Sequence, residues 1–172
     1  MTLLIVAGSF SRESKTLELA RKAELYGDTI ADIDLLKPRN LDLEFCDGRD
    51  WDKYNEDVSE LQDRFDNADA YIFAVQVYNW SYPGGFKNLI DLVPPDKLSG
   101  KVAGFIGVGS NYKGFLFLHR ELKSLMDYFN VHTLPNSVFA SEADFEGDTV
   151  SAEIESRIEE LVSRTVELGK KL

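Results

Sequence analysis

Short apolar runs alternate with amphipathic stretches along the whole chain. Five segments show the unbroken or alternating apolar pattern of β-strands, and three of these consist almost entirely of apolar residues, as in strands covered on both faces. The predicted strands span residues 3–7, 29–35, 70–75, 102–108 and 131–138. Between and after them, apolar residues recur at helical spacing, which predicts helices over 14–26, 54–66, 83–93, 115–129 and 152–168.

Regular alternation of strands and helices predicts a parallel sheet with helices on both faces. At 172 residues, with no linker, repeat or low-complexity tract, the chain fits a single domain over 1–172. The economical arrangement is a flavodoxin-like three-layer α/β sandwich whose five parallel strands run in the order 2-1-3-4-5. A ligand then lies beyond the carboxyl ends of strands one and three, where the strand order reverses.

The loop after the first predicted strand, residues 8–16, is rich in hydroxyl groups and locally cationic. It reads Gly-Ser-Phe-Ser-Arg-Glu-Ser-Lys-Thr in a chain of net charge −11. The helix that follows presents free amides and the positive end of its dipole, so the loop suits a phosphate group. The predicted phosphate ligands are Ser9, Ser11, Arg12, Ser14, Lys15 and Thr16. The alternative is an ordinary serine-capped helix.

The composition of this loop excludes several other sites found on related folds. A response-regulator receiver needs acidic residues after the first strand to hold magnesium, and the loop offers only Glu13. The Gly-x-x-x-x-Gly-Lys-Ser/Thr pattern of a P-loop is absent. A dinucleotide fingerprint does not follow strand one either, and the later fragment Gly107-Val108-Gly109 has Tyr112 at its third glycine position.

The loop after the third predicted strand is aromatic. Residues 76–85 read Gln-Val-Tyr-Asn-Trp-Ser-Tyr-Pro-Gly-Gly. Aromatic side chains can stack on a flat heteroaromatic ring, while backbone amides and an asparagine amide can bond its carbonyls and nitrogens. The alternative is a surface loop whose aromatic residues pack onto the core. The predicted ring contacts are Gln76, Val77, Tyr78, Asn79, Trp80 and Ser81.

These two loops resemble those of the NADPH-dependent FMN reductase family. Its first loop typically reads Gly-Ser-x-Arg-x-x-Ser-x-Asn/Thr, and its second Pro-x-Tyr-Asn-x-Ser-x-Pro-Gly-x-Leu-Lys-Asn-x-Ile-Asp, which residues 76–91 follow closely. The resemblance covers essentially the whole chain. Two departures from it matter: Ser11 stands at the family's arginine, with Arg12 one place later, and Gln76 stands at the family's proline.

A third loop, residues 108–114, resembles the family's glycine-rich turn after strand four. It reads Val-Gly-Ser-Asn-Tyr-Lys-Gly, and the resemblance places Gly109 and Ser110 at the far edge of the flavin. Taken without the resemblance, Gly-Ser-Asn is also compatible with a plain turn.

The resemblance implies an enzyme that takes a hydride from NADPH or NADH onto bound FMN and passes electrons to a small-molecule acceptor. FMN carries the chemistry, so no catalytic side chain is expected. It also implies a homodimer or homotetramer in which aromatic residues near the interface cover the flavin. The alternative is a flavodoxin-type FMN electron carrier that does not oxidise NAD(P)H, and the acidity of the chain fits docking on basic partners.

The net charge and the cysteine content limit which binding partners and which cellular compartment are expected. The net charge of −11 argues against nucleic acid and anionic membrane surfaces as partners. No apolar run approaches the roughly 20 residues that span a bilayer, and the N-terminus lacks the basic region of a signal peptide. Cys46 is the only cysteine, which makes a reducing cytoplasm the default compartment. We expect structural roles, and no metal site, for His119 and His132.

Overall fold

The computed structural model describes residues 1–11, 14–147 and 149–172. The strands are β1 Thr2–Ala7, β2 Asp32–Leu36, β3 Ala70–Gln76, β4 Val102–Val108, β5 His132–Thr133, β6 Val138–Ala140, β7 Phe145–Glu146 and β8 Thr149–Val150. The helices are α1 Lys15–Gly27, α2 Glu56–Asn67, α3 Gly84–Asp91, α4 Pro95–Leu98, α5 Tyr112–Tyr128 and α6 Ala152–Gly169. The main sheet is parallel, in the order β2-β1-β3-β4-β5, which confirms the predicted topology.

The three central strands are buried on both faces, which explains their unbroken apolar sequences. In β1, Leu3 and Ile5 face one hydrophobic core while Leu4 and Val6 face the other, and all four are fully buried. Apolar residues of α1 and α6 complete the first core, and those of α2, α3 and α5 complete the second. A strand enclosed in this way has no face in water, so it cannot show the alternation of a half-exposed strand.

The predicted fifth strand over 131–138 is divided into two short strands. β5 pairs His132 with Val102, whereas β6 pairs Val138 with Ile106, so the edge chain advances six residues while β4 advances four. Pro135 lies in the interruption, and proline has no N–H to contribute to a ladder. The edge of the sheet therefore bulges away from β4 between α5 and α6.

Several helices and strands begin at residues other than those predicted, and local hydrogen bonds explain the differences. β2 begins at Asp32 rather than at residue 29, because the amides of Ile30 and Ala31 bond the carbonyl of Gly27 and close the turn after α1. α5 begins at Tyr112 rather than at residue 115, because the Asn111 side chain caps it. The antiparallel pair β7–β8 and the single turn α4 are absent from the sequence-based interpretation.

The long acidic connection between β2 and α2 is held to the body by side-chain hydrogen bonds. Asn88 on α3 accepts from the Cys46 amide at 2.8 Å and donates to the Glu44 carbonyl at 2.9 Å. Within the connection, hydrogen bonds from Arg49 hold the pKa of Asp47 well below its usual range. Asn88, which belongs to the family-like segment 76–91, thus fixes this connection to α3.

Candidate functional site

A crevice forms where the chain leaves β1 and β3 in opposite directions. These strands are neighbours, but α1 packs on one face of the sheet and α3 on the other. Loops that follow the carboxyl ends of β1, β3 and β4 therefore meet at one edge of the sheet. All three are the loops that the sequence singles out.

The first loop runs in contact with the backbone of β3. The Gly8 amide donates to the Ala74 carbonyl at 2.8 Å, which extends the ladder beyond the end of β1. A Cβ at Gly8 would lie 2.8 Å from that same carbonyl oxygen, which belongs to the sheet and cannot move aside. Glycine is therefore required here for close approach of two backbones.

Ser14 occupies the N-cap position of α1 without acting as a cap. Its backbone is extended, and its hydroxyl accepts no hydrogen bond from the first turn, all of whose residues the structure describes. By contrast, the Ser151 hydroxyl accepts from the Ile154 amide at α6, and Asn111 accepts from the Gly114 amide at 2.9 Å. The serine-cap alternative is therefore wrong for Ser14, whose hydroxyl caps no amide of α1 within the described part of the chain.

The other hydroxyl groups of the first loop contact the protein. Ser9 is buried, and its Oγ accepts from the Ser11 amide at 3.3 Å. Thr16 is also buried, and its Oγ1 donates to Gln76 Oε1 at 3.5 Å, which joins the first loop to the end of β3. These contacts set the shape of the loop.

The structure describes one of the two cationic residues of the first loop, Lys15. Lys15 lies over the ring of Phe145, with Nζ 4.9 Å from the ring centroid, so its ammonium is directed to the β7–β8 pair. Arg12 and Glu13 lie outside the described residues. The prediction that Arg12 contacts a phosphate stays a prediction.

The fold brings a further cation to this loop, one that the sequence analysis did not single out. Arg39 follows β2, and its Nη1 donates to the Ser11 carbonyl at 3.4 Å. Since β2 lies beside β1, the loop after β2 is the next along the same sheet edge. Arg39 is distant in sequence from residues 8–16, so the motif could not point to it. The predicted strand order, which puts β2 beside β1, could have done so.

The second loop is a tight turn with a strained backbone. The Tyr78 and Ser81 amides each donate to the other residue's carbonyl at 2.9 Å. Between them, Asn79 and Trp80 have φ of 49° and 67°, and a type I′ turn requires positive φ at both central positions. Asparagine adopts this region readily, but tryptophan does so at a cost of about 1–3 kcal/mol.

Contacts with α5 hold the turn in this conformation. The Trp80 ring lies tilted over Phe117, with 4.9 Å between centroids. The Ser81 hydroxyl donates to a carboxylate oxygen of Glu121, one helical turn further along α5. More than half of the Tyr78 and Trp80 side chains is exposed, 57% and 53%. The alternative in which these two aromatic residues only pack onto the core is therefore wrong.

Several backbone amides of the second loop are already bonded within the protein. The Val77 amide donates to the Val108 carbonyl at 2.7 Å and prolongs the pairing of β3 with β4. The Tyr78 and Ser81 amides close the turn. Contacts to a ring in the crevice would therefore come from side chains and from the tip of the turn, at Asn79 and Trp80.

The third loop packs closely against the second. A Cβ at Gly109 would lie 2.9 Å from Val77 Cγ2, so glycine lets the two loops approach. Ser110 is exposed, and its hydroxyl accepts from the Asn111 side chain at 3.2 Å. Gly109 and Ser110 follow β4 beside the second loop, and their contact with the flavin stays a prediction.

Comparison with known proteins agrees with this geometry. The family model of NADPH-dependent FMN reductases matches residues 1–146, which is most of the chain. The chain belongs to the NADPH-dependent FMN reductase family. The matched residues include the hydroxyl-rich loop, the aromatic loop and the third loop described above.

Individual relatives are similar over most of the sequence. An NAD(P)H-dependent FAD/FMN reductase of Geobacillus thermodenitrificans is 33% identical over 139 residues, which are 80% of this chain and 75% of the relative. An FMN reductase (NADPH) of Pseudomonas aeruginosa is 34% identical over 66% of this chain and 63% of its own. The apo structure of the NADH:FMN oxidoreductase EMOB superposes with a TM-score of 0.83 at 25% identity, covering 97% of this chain and 89% of that one.

Neither a metal site nor a membrane-spanning helix is found in the described part of the chain. Among those residues, no group of three or more histidine, cysteine or acidic side chains is placed to hold a metal ion. No helix formed by the same residues has the length and apolar character needed to cross a membrane.

The Ser14 hydroxyl, which caps no amide of α1, gives a first prediction, made with two matched serine substitutions. Ser14→Ala should change the free energy of unfolding by less than about 0.5 kcal/mol but weaken FMN binding about tenfold. Ser151→Ala should do the reverse, costing about 0.5–1 kcal/mol of stability with FMN binding unchanged, because Ser151 caps α6. Urea unfolding measures the change in stability, and fluorescence titration measures FMN binding. Equal losses of stability in the two variants would contradict the distinction between Ser14 and the cap Ser151.

Arg39 gives a second prediction. Arg39→Gln should weaken binding of FMN about tenfold, because a charge-assisted contact to a phosphate is lost. Binding of riboflavin, which has the same ring system and no phosphate, should not change. The control is Arg21→Gln, since Arg21 pairs with Glu18 on the exposed side of α1. Equal losses for FMN and riboflavin would show that Arg39 only supports the loop.

Proposed function

We propose that the protein is an FMN-dependent NAD(P)H oxidoreductase that passes a hydride from NADPH or NADH through bound FMN to a small-molecule acceptor. The observation that carries the proposal is the meeting, at one sheet edge, of a strained aromatic turn with a helix N-terminus whose serine hydroxyl does not cap the helix. Membership of the reductase family supports it, as do the names of the similar proteins.

The phosphate of FMN would be held by the first loop. Ser14 and the amides at the start of α1 offer donors, and the dipole of the helix favours an anion there. Ser9 and Thr16 support the loop from beneath through their contacts with Ser11 and Gln76. Arg39 brings a positive charge to this corner of an acidic protein, and Arg12 is predicted to add a second.

The isoalloxazine ring would lie between the second and third loops. Tyr78 and Trp80 offer exposed aromatic faces, and the Asn79 side chain stands at the tip of the turn. Gly109 and Ser110 border the opposite edge. Because Ser81 is bonded to Glu121, we assign Ser81 to holding the turn, and Val77 to the same task through its bond to Val108.

FMN, when bound, accepts a hydride and releases electrons singly or in pairs, so it supplies the redox chemistry. The chain's own groups bind the cofactor, orient it and shield it from water. The fixed turn leaves little conformational freedom to be lost on binding, which is how preorganised sites gain affinity. A protein acid or base is not needed for these tasks.

The flavodoxin-type carrier remains the rival, because it would use the same fold and cofactor. Acidity favours the carrier, whereas the family membership and the similar proteins named as reductases favour the enzyme. The two proposals differ in one measurable property, which is oxidation of a reduced nicotinamide.

Anaerobic stopped-flow reduction tests this property and gives a third prediction. The FMN-loaded protein should lose its flavin absorbance on mixing with NADPH or NADH, and comparing the two rates gives the donor preference. Dithionite is the control, since it reduces a carrier and an enzyme alike. Reduction by dithionite with no reduction by either nicotinamide would assign the carrier role, and a protein that binds no FMN would overturn both.

We also propose that the protein forms a homodimer or homotetramer and works in the cytoplasm. An exposed apolar surface borders the ring site, formed by Trp80 with Tyr112, Leu116 and Phe117 of α5. A contiguous exposed patch of this kind is typical of an interface. A lone cysteine needs no oxidising compartment, which supports the cytoplasm.

The oligomer gives a fourth prediction. Light scattering should report at least twice the chain mass of 19.4 kDa, independent of dilution. Leu116→Glu should shift the mass toward the monomer, because it buries a charge in the interface. Leu25→Glu, on the exposed side of α1, is the matched control and should leave the mass unchanged. A monomeric mass for the unmodified protein would refute the proposal.

A further inference from the structure

The bulge between β5 and β6 opens a cavity that the flavin site does not use. This edge pocket, about 320 Å³ in volume, lies between α5, α6 and residues 134–138. Phe115 forms part of its wall, and Leu134 and Leu161 add apolar surface. Because a water occupies about 30 Å³ of liquid, the volume suits roughly ten waters or one ring carrying a substituent.

Two buried polar atoms of the pocket have no hydrogen-bond partner among the described residues. They are His119 Nε2 and Ser137 Oγ. Burial and the nearby Lys123 lower the pKa of His119, so its imidazole is neutral at neutral pH and can donate through one nitrogen. A buried polar atom without a partner costs about 1–3 kcal/mol, so two in one cavity indicate that something else bonds them.

The charge of the pocket is opposite to that of the protein. Arg157 and Arg164 line it, and among the described lining residues Glu160 alone carries a negative charge. Glu160 contacts Arg164 at 3.4 Å, while Arg157 donates to the Ser137 carbonyl at 3.3 Å. A local excess of positive charge in a chain of net charge −11 favours an anion.

We propose that the edge pocket binds a small aromatic carboxylate. The ring would lie against Phe115 and the leucines, and the carboxylate would face Arg157 and Arg164. His119 Nε2 and Ser137 Oγ are buried behind the lining, and small rotations of the two side chains would let them donate to the carboxylate or to a ring substituent. Water alone would satisfy the two donors but would provide neither a counter-charge for Arg157 nor an apolar partner for the wall. The proposal does not depend on FMN binding, and two residues that line the pocket, Tyr112 and Leu116, also belong to the exposed apolar surface proposed as the subunit interface.

Binding in the edge pocket can be followed through the NMR signals of the two histidines. His119 and His132 are the only ones in the chain, so imidazole ¹⁵N spectra contain two sets of signals, and His132→Gln assigns them. His132 is exposed at the opposite end of the edge strand and reports non-specific effects. Benzoate is the probe, and benzamide, of the same shape without charge, is its control. Both are titrated into the FMN-saturated protein and into protein without added FMN.

Benzoate should shift the His119 signals in a saturable manner and leave those of His132 in place. Benzamide should bind about tenfold more weakly, and so should benzoate to the Arg157→Gln/Arg164→Gln variant, because charge-assisted contacts are lost. Ser137→Ala alone should weaken binding several-fold and serves as the second variant if the double substitution fails to fold.

Three results would overturn the proposal. His119 signals that stay fixed up to the solubility limit of benzoate would mean that only water fills the pocket. Equal affinity for benzoate and benzamide would remove the role of the arginines. A change in the flavin absorbance with no shift of His119 would place the probe in the crevice instead. A His119 shift in protein that binds no FMN would support the edge pocket while refuting the proposed function.

Discussion

The structure depends on the pairing of β1 with β3 in a sheet that is covered on both faces. Right-handed crossovers from two adjacent parallel strands can lead to opposite faces, and here α1 and α3 do so. The chain then separates above the two strand ends and leaves a crevice there. This separation positions the first two loops of the candidate site, and the third loop follows β4, the strand beside β3.

Helix α5 contacts the hydrophobic core, the strained turn of the candidate site and the edge pocket. One side of the helix buries Phe115 and Leu118 in the core, which fixes its position. Another side supports the strained turn through Phe117 and Glu121. A positive φ at Trp80 persists because these contacts outweigh its cost, as backbone strain at a functional site requires. His119 lies on a third side, which faces the edge pocket.

The proposed binding regions differ in charge from the remaining surface. Acidic residues dominate the connection between β2 and α2, where they pair with Arg49 and bond backbone amides. Arg39 brings a positive charge to the first loop, and Arg157 and Arg164 bring two to the edge pocket. Both places suit anions although the protein is strongly acidic, because local fields rather than net charge determine where a ligand is attracted.

The sequence by itself determined the fold class, the strand order and the loops that form the site. Unbroken apolar runs at β1, β3 and β4 are possible only in strands covered on both faces, and the loop motifs follow directly along the chain. Tertiary structure alone decided that Ser14 is not a cap, that Arg39 reaches the first loop and that Trp80 takes a positive φ. It also divided the last strand around Pro135 and opened the edge pocket. These features arise from contacts between residues distant in sequence, such as Ser11 with Arg39 and Ser81 with Glu121, and local periodicity carries no information about such contacts.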